Sequence, residues 1–179
     1  MAQTGGITPD WEVRYAAAVL QKHTKVVDDL LNQLKPEEWA KQGAPSLYAE
    51  QWKQAKQFNT YLGAQAEALA ANPAKLSLVI DVFLRIEHLQ PLLDSLTGGI
   101  RAYQNSPLAD LLVSAIGQNG ATREKLKEYT RELAVEREKE WDIANEEAQR
   151  CRAILVKSPS TRVAPAPKPR AKKPEPAKP

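Results

Sequence analysis

The sequence predicts an all-α protein: an antiparallel up-down four-helix bundle with long helices, one extra short helix between helices three and four, and a disordered Pro/Lys-rich C-terminal tail. Three observations lead there. Four long stretches carry apolar residues on one side when positions are set about 100° apart. Ala and Leu are common before Ser158 while Gly is scarce, which favours helix over sheet. From Ser158 the chain turns into Ala, Pro and Lys without large apolar side chains, a composition that builds no core. The expected organisation is a flexible N-terminus at 1–7, a helical domain at 8–157 and a disordered basic tail at 158–179.

Helix one is expected to start at Thr8-Pro9-Asp10, with Thr8 as N-cap, Pro9 in the first turn and Asp10 facing the positive end of the dipole. It should run to about Leu34 and stop before Pro36. A short turn of helix over Glu37–Lys41 carries Trp39, and Gly43-Ala44-Pro45 breaks the chain. Helix two runs from Ser46 to about Ala71. Asn72-Pro73 ends it and caps helix three, which runs from Pro73 to about Thr97 with a kink expected at Pro91 and a stop at Gly98-Gly99. Ser106-Pro107 caps the extra short helix to about Ile116. Gly117-Gln118-Asn119-Gly120 reads as a turn, and helix four as Thr122 to about Val156. Short connections make neighbours antiparallel.

The stripes expected to face the core are Tyr15, Val19, Val26, Leu30 and Leu34 on helix one, and Tyr48, Trp52, Ala55, Phe58, Leu62, Ala66 and Leu69 on helix two. Helix three offers Leu76, Val79, Ile80, Val82, Phe83, Ile86, Leu89 and Leu93. Helix four offers Leu126, Leu133, Trp141, Ala144, Ala148, Cys151 and Leu155. Trp52 and Trp141 read as core residues, Trp11 and Trp39 as partly exposed anchors. Cys151 reads as a small core residue.

Each stripe has a polar interruption near its middle: His23, Asn59, Gln90 and Arg137. In antiparallel helices these meet at one level, giving a buried polar level in which Glu87 or Glu140 neutralises Arg137, with at least one of His23 and Arg137 mostly buried. The plainer role for the same residues is packing at the seam, with Arg and His reaching water by their polar ends.

No motif carries catalysis. There is no Gly-rich phosphate loop, His-Glu-x-x-His or Cys-x-x-Cys. Glu124, Glu128, Glu132, Glu136 and Glu140 recur every fourth residue, but each step drifts about 40° around the helix, so they gather no single cation. His23 and His88 fall on different faces. No metal, cofactor or catalytic residue is expected, and the chain is read as non-enzymatic.

The net charge of +3 hides an asymmetry. Six positive residues and one negative lie from Ser158 onward, so the tail carries +5 and the remainder −2. That argues against a body built for nucleic acid. Lys168, Arg170, Lys172 and Lys173 are the candidate contacts to an anionic polymer. Met1-Ala2-Gln3-Thr4 reads as a mature N-terminus behind an added Met, giving a periplasmic or exported protein if a signal peptide was removed and a cytoplasmic one otherwise. The expected function is a helical interaction or scaffold module of a bacterial cell envelope with a flexible cationic tether, its partner a protein or an anionic envelope polymer. The first alternative is a nucleic-acid-associated protein using the tail. The second is a small-ligand carrier or enzyme using the polar level. No apolar stretch is long and clean enough to span a bilayer.

Overall fold

Five α-helices occupy most of residues 7–157, the part that the computed structural model describes, and no strand occurs among them. They are α1 (Asp10–Leu31), α2 (Pro36–Lys41), α3 (Leu47–Ala71), α4 (Leu76–Tyr103) and α5 (Ser106–Lys157). The chain divides into two compact units, Met1–Glu140 and Trp141–Pro179. The division falls within α5, and the expected body at 8–157 spans it. The expected disordered tail at 158–179, and all but Ile7 of the expected flexible N-terminus, lie outside the described residues.

Helix ends follow local chemistry, with corrections to the expected caps. Thr8 does not cap α1. Pro9 holds the N-cap position, and both the Thr8 amide (2.8 Å) and its hydroxyl (2.6 Å) donate to Glu132 Oε2 on α5. A carboxylate that takes two donors from one residue outcompetes the local cap. α2 closes with a left-handed Gly43 (φ 90°), where the amides of Gly43 and Ala44 donate to the Ala40 and Trp39 carbonyls. Only glycine adopts that φ without cost. Pro73 does not begin α4; Pro73 and Ala74 form a turn and the helix starts at Leu76. The α5 cap is Asn105, whose side-chain oxygen accepts from the Leu108 amide at 2.8 Å, so Ser106-Pro107 is already helical.

Two glycine pairs expected to break helices do not. α4 continues through Gly98-Gly99 to Tyr103, and α5 continues through Gly117 and Gly120. The expected short helix and helix four are therefore one helix. Burial explains it. Residues at alternating spacings of four and three, namely Leu108, Leu112, Ala115, Asn119, Thr122, Leu126, Tyr129 and Leu133, form one line along α5. All are buried except Asn119, which is half-buried. A broken helix would put this line out of register, and its burial outweighs a propensity cost of about 1 kcal/mol per glycine.

The same spacing marks the other helices: Val13, Ala17, Leu20, Thr24, Val27 and Leu31 on α1; Ala55, Asn59, Leu62, Ala66 and Leu69 on α3; Val79, Val82, Ile86, Leu89, Leu93, Leu96 and Ile100 on α4. On α3 and α4 the expected Ala55, Leu62, Ala66, Leu69, Val79, Val82, Ile86, Leu89 and Leu93 are buried, while the expected Tyr48, Trp52, Phe58, Leu76, Ile80 and Phe83 are half-buried. Leu30 of the expected first stripe is buried, as is Leu34 just beyond α1, but along the rest of α1 the line lies about one residue round: Tyr15 and Val26 are exposed, and Val19 is half-buried. Ala17 and Thr24 are small or polar, so the larger Tyr and Val misdirect a reading based on hydrophobicity. On helix four, Leu126 and Leu133 are buried as expected, while Trp141, Ala144, Ala148, Cys151 and Leu155 are all exposed. Trp39, expected to be partly exposed, is 1% exposed, and Trp141, expected in the core, is 65% exposed.

Trp39 owes its burial to Gly99. A β-carbon on Gly99 would lie 3.0 Å from both Trp39 Cζ3 and Tyr48 Cε1, so two aromatic rings press against bare α4 backbone. Trp39 and Tyr48 meet edge to face, with ring centroids 5.9 Å apart, and Tyr103 stands against Tyr48 at 6.2 Å. The indole N–H donates to Gln104 Oε1 (3.1 Å), and the Gln104 amide donates to the Gln33 carbonyl (2.9 Å).

Polar contacts between helices run in opposite chain order. From the α1 side to α5 they are Thr8 with Glu132, Glu12 with Lys125, and His23 with Asn119. From α1 to α3 they include Arg14 with the Ala70 carbonyl, the Thr24 carbonyl with Asn59, and the Leu31 carbonyl with Trp52. From α3 to α4 they are Gln51 with Ser95 and Gln65 with Arg85.

Candidate functional site

The polar level exists in altered form. Asn119 Oδ1 accepts from His23 Nδ1 at 2.5 Å, joining α1 to α5. Asn119 and Gln90 line a cavity of about 20 Å³ with Leu62, Ile86, Leu89, Leu93 and Ile116, room for about one water. Gln90 Oε1 accepts from Arg123 Nη1 at 2.8 Å. Arg123 also pairs with Glu124 Oε1 (3.2 Å), and its Nε forms an ion pair with Glu87 Oε1 (3.5 Å) without a hydrogen bond at that nitrogen. Those charges hold the Glu124 carboxyl below the usual range, chiefly through the Arg123 hydrogen bond and then the Lys127 charge.

Asn59 is 2% exposed, and its side-chain amide donates to the Thr24 carbonyl at 2.7 Å. Its Oδ1 accepts no hydrogen bond from the described residues. Gly63, one turn on, lets α3 approach Thr24: a β-carbon there would lie 3.1 Å from Thr24 Oγ1. Above this contact an open groove of about 590 Å³ runs between α1 and α3, with Lys25, Asp28, Asp29 and Glu67 among its walls. A second, apolar hollow of about 150 Å³ lies between α1 and α5 over Val13, Ala16, Leu126 and Tyr129, rimmed by Glu12, Lys125 and Glu128. The Tyr129 hydroxyl donates to the Pro73 carbonyl at 3.1 Å, and burial, reinforced by the nearby Asp10 charge, pushes its pKa up.

Arg137 and Glu87 are not part of a buried level. Both are exposed, and they do not pair with each other. Arg137 pairs with Glu140 and donates to the Ala74 carbonyl at 3.2 Å. The expectation placed Arg137 at mid-helix because it started helix four at Thr122. In a helix that starts at Ser106, the packed middle lies near Asn119 and Arg123, about 20 Å earlier along the axis. His23 is half-buried rather than mostly buried. Arg123 and Asn119 were missed because Gly117–Gly120 read as a turn. The signal was present: Asn119 continues the four-three spacing from Ala115 to Thr122.

From Val135 to Val156 every residue of α5 is exposed, including Trp141 (65%) and Leu155 (75%). Cys151 is a free, exposed thiol rather than a core residue. Among the described residues no three of His, Cys, Asp and Glu converge to hold a metal ion, and no helix is long and apolar enough to cross a membrane. Lys168, Arg170, Lys172 and Lys173 lie outside the described residues. No protein-family model matches the chain, and no curated protein or solved structure matches it.

Proposed function

We propose that this chain is a non-enzymatic helical interaction or scaffold module of a bacterial cell envelope, periplasmic or exported, with a cationic C-terminal tether. Its four long helices are read as an antiparallel up-down bundle, supported by the opposite chain order of the inter-helix contacts of α1, α3, α4 and α5. The polar level serves packing: its cavity holds about one water, and most of its polar groups meet one another.

One observation carries the reading. The helix over Val135–Val156 leaves Trp141, Ile143, Leu155 and Val156 exposed. Trp141, Leu155 and Val156 lie towards one side of the helix and Ile143 on the other, and burying each against a partner is worth about 1.5–3 kcal/mol. The tail beyond it carries +5, with Lys168, Arg170, Lys172 and Lys173 for an anionic envelope polymer. A photo-crosslinking amino acid at Ala148, in the cells that make the protein, tests this. Covalent protein adducts are expected there and not from the same probe at exposed Lys53. Absence of adducts at Ala148 removes the interaction reading.

A further inference from the structure

We propose that the occupant of this exposed helix is a second copy of the chain, joined through a parallel two-stranded coiled coil over Trp141–Leu155. The inference rests on the interaction reading above and names its partner. Trp141, Ala144, Ala148, Cys151 and Leu155 follow one another at spacings of three, four, three and four, the repeat that keeps a seam facing a partner helix. All five are exposed. Ala144, Ala148 and Cys151 are small, so two helices approach closely at the centre while Trp141 and Leu155 close the ends.

Charge selects a second copy and sets its direction. Glu147 and Arg152 flank the seam on opposite sides and hold no ion pair among the described residues, whereas Arg150 pairs with Glu146 four residues away on the same helix. Five residues apart, Glu147 and Arg152 sit too far round one helix to meet. In a parallel coiled coil that spacing is the one that bridges strands, so Glu147 of each copy faces Arg152 of the other. An antiparallel pair places Glu147 along the same edge as its own counterpart and forfeits both bridges. Other occupants fit less well. The tail offers Val163 as its largest aliphatic side chain, and the two charges that flank the seam, Glu147 and Arg152, cancel, so an anionic lipid surface gains no net attraction there.

The seam is about 21 Å long at 1.5 Å per residue, so the dimer belongs to the weak class of interfaces. Sedimentation equilibrium of the full chain is expected to show a monomer–dimer equilibrium with Kd on the order of 10–100 µM. Trp141→Ala weakens it by about tenfold or more. Glu147→Arg and Arg152→Glu each weaken it about fivefold, and the double variant returns to within about twofold of the parent. These residues are exposed, so circular dichroism melting serves as a check that the fold is unchanged. A chain that stays monomeric to about 1 mM, a dimer indifferent to Trp141→Ala, or a double reversal without recovery overturns the proposal. The Ala148 photo-probe separates the two readings: adducts only to a different protein overturn the second copy and keep the interaction reading, while no adduct overturns both.

Discussion

The backbone of Gly99 lies against the Trp39 ring, where a β-carbon would stand 3.0 Å from Trp39 Cζ3. Gly98, the preceding residue of the same helix, has nothing within 4 Å of its own β position. Adding a methyl at each therefore has opposite consequences. Gly98→Ala gains about 0.5–1 kcal/mol of helix stability. Gly99→Ala makes the same gain but pushes Trp39 and Tyr48 off their contact, at about 1–3 kcal/mol, for a net loss. Denaturant midpoints of the two variants check the pair; a stabilised Gly99→Ala would mean the rings move aside freely.

Gly117 and Gly120 give a second test of helix continuity. Neither has an atom within 4 Å of its β position, and both lie inside α5. Gly117→Ala and Gly120→Ala should each stabilise the protein by about 0.5–1 kcal/mol, a rise of a few degrees in Tm. A turn at this point would instead be destabilised by alanine.

Leu133 is 1% exposed and Val135, two residues on, is 49% exposed. Leu133→Ala should cost about 2–5 kcal/mol through lost burial and a cavity. Val135→Ala should stay within about 0.5 kcal/mol of the parent. Urea unfolding of both variants reads the difference, and equal losses would assign the wrong face of α5.

Tyr129 links stability to alkaline pH. Burial raises its pKa in the folded protein above the ordinary value of 10.0. Above that pH the unfolded chain gives up the phenolic proton first, so the folded state binds more protons and stability falls as pH rises towards the folded-state pKa. Tyr129→Phe removes this contribution and should show a shallower decline from pH 9 to about 11. At pH 7 the variant should be less stable by about 1–3 kcal/mol, since the Pro73 carbonyl loses its donor. Identical alkaline slopes would show that the phenol stays protonated equally in both states.

The tail should carry any binding to polyanions. With six cations engaged on duplex DNA as a probe, log K falls with log salt at a slope of about −5. Replacing Lys168, Arg170, Lys172 and Lys173 with Ala flattens that slope. Binding that persists without salt dependence, or in a chain ending at Lys157, would move the contact to the helical body.

The apolar lines of α3 and α4 were legible in the sequence because large aliphatic residues mark them without ambiguity. Gly43 closes α2 through its left-handed φ, and α3 ends at Ala71 ahead of Asn72-Pro73 as expected; Pro36, expected to stop the first helix, instead opens α2, and α1 already ends at Leu31. The α1 face was not legible, because Ala17 and Thr24 are buried for fit rather than for hydrophobicity. The position of the polar level was lost with it, since Gly117–Gly120 looks like a turn in isolation, and so Arg137 stood in for Arg123. Composition and periodicity determined that the described residues are helical without strands, and where α2, α3 and α5 stop. Only the tertiary structure decided which side of α1 is buried, that α5 is continuous, and that Trp39 rather than Trp141 is enclosed. Local propensities differ by about 1 kcal/mol per residue, while burial along a whole line of contacts is several times larger, and that sum exists only once the helices meet.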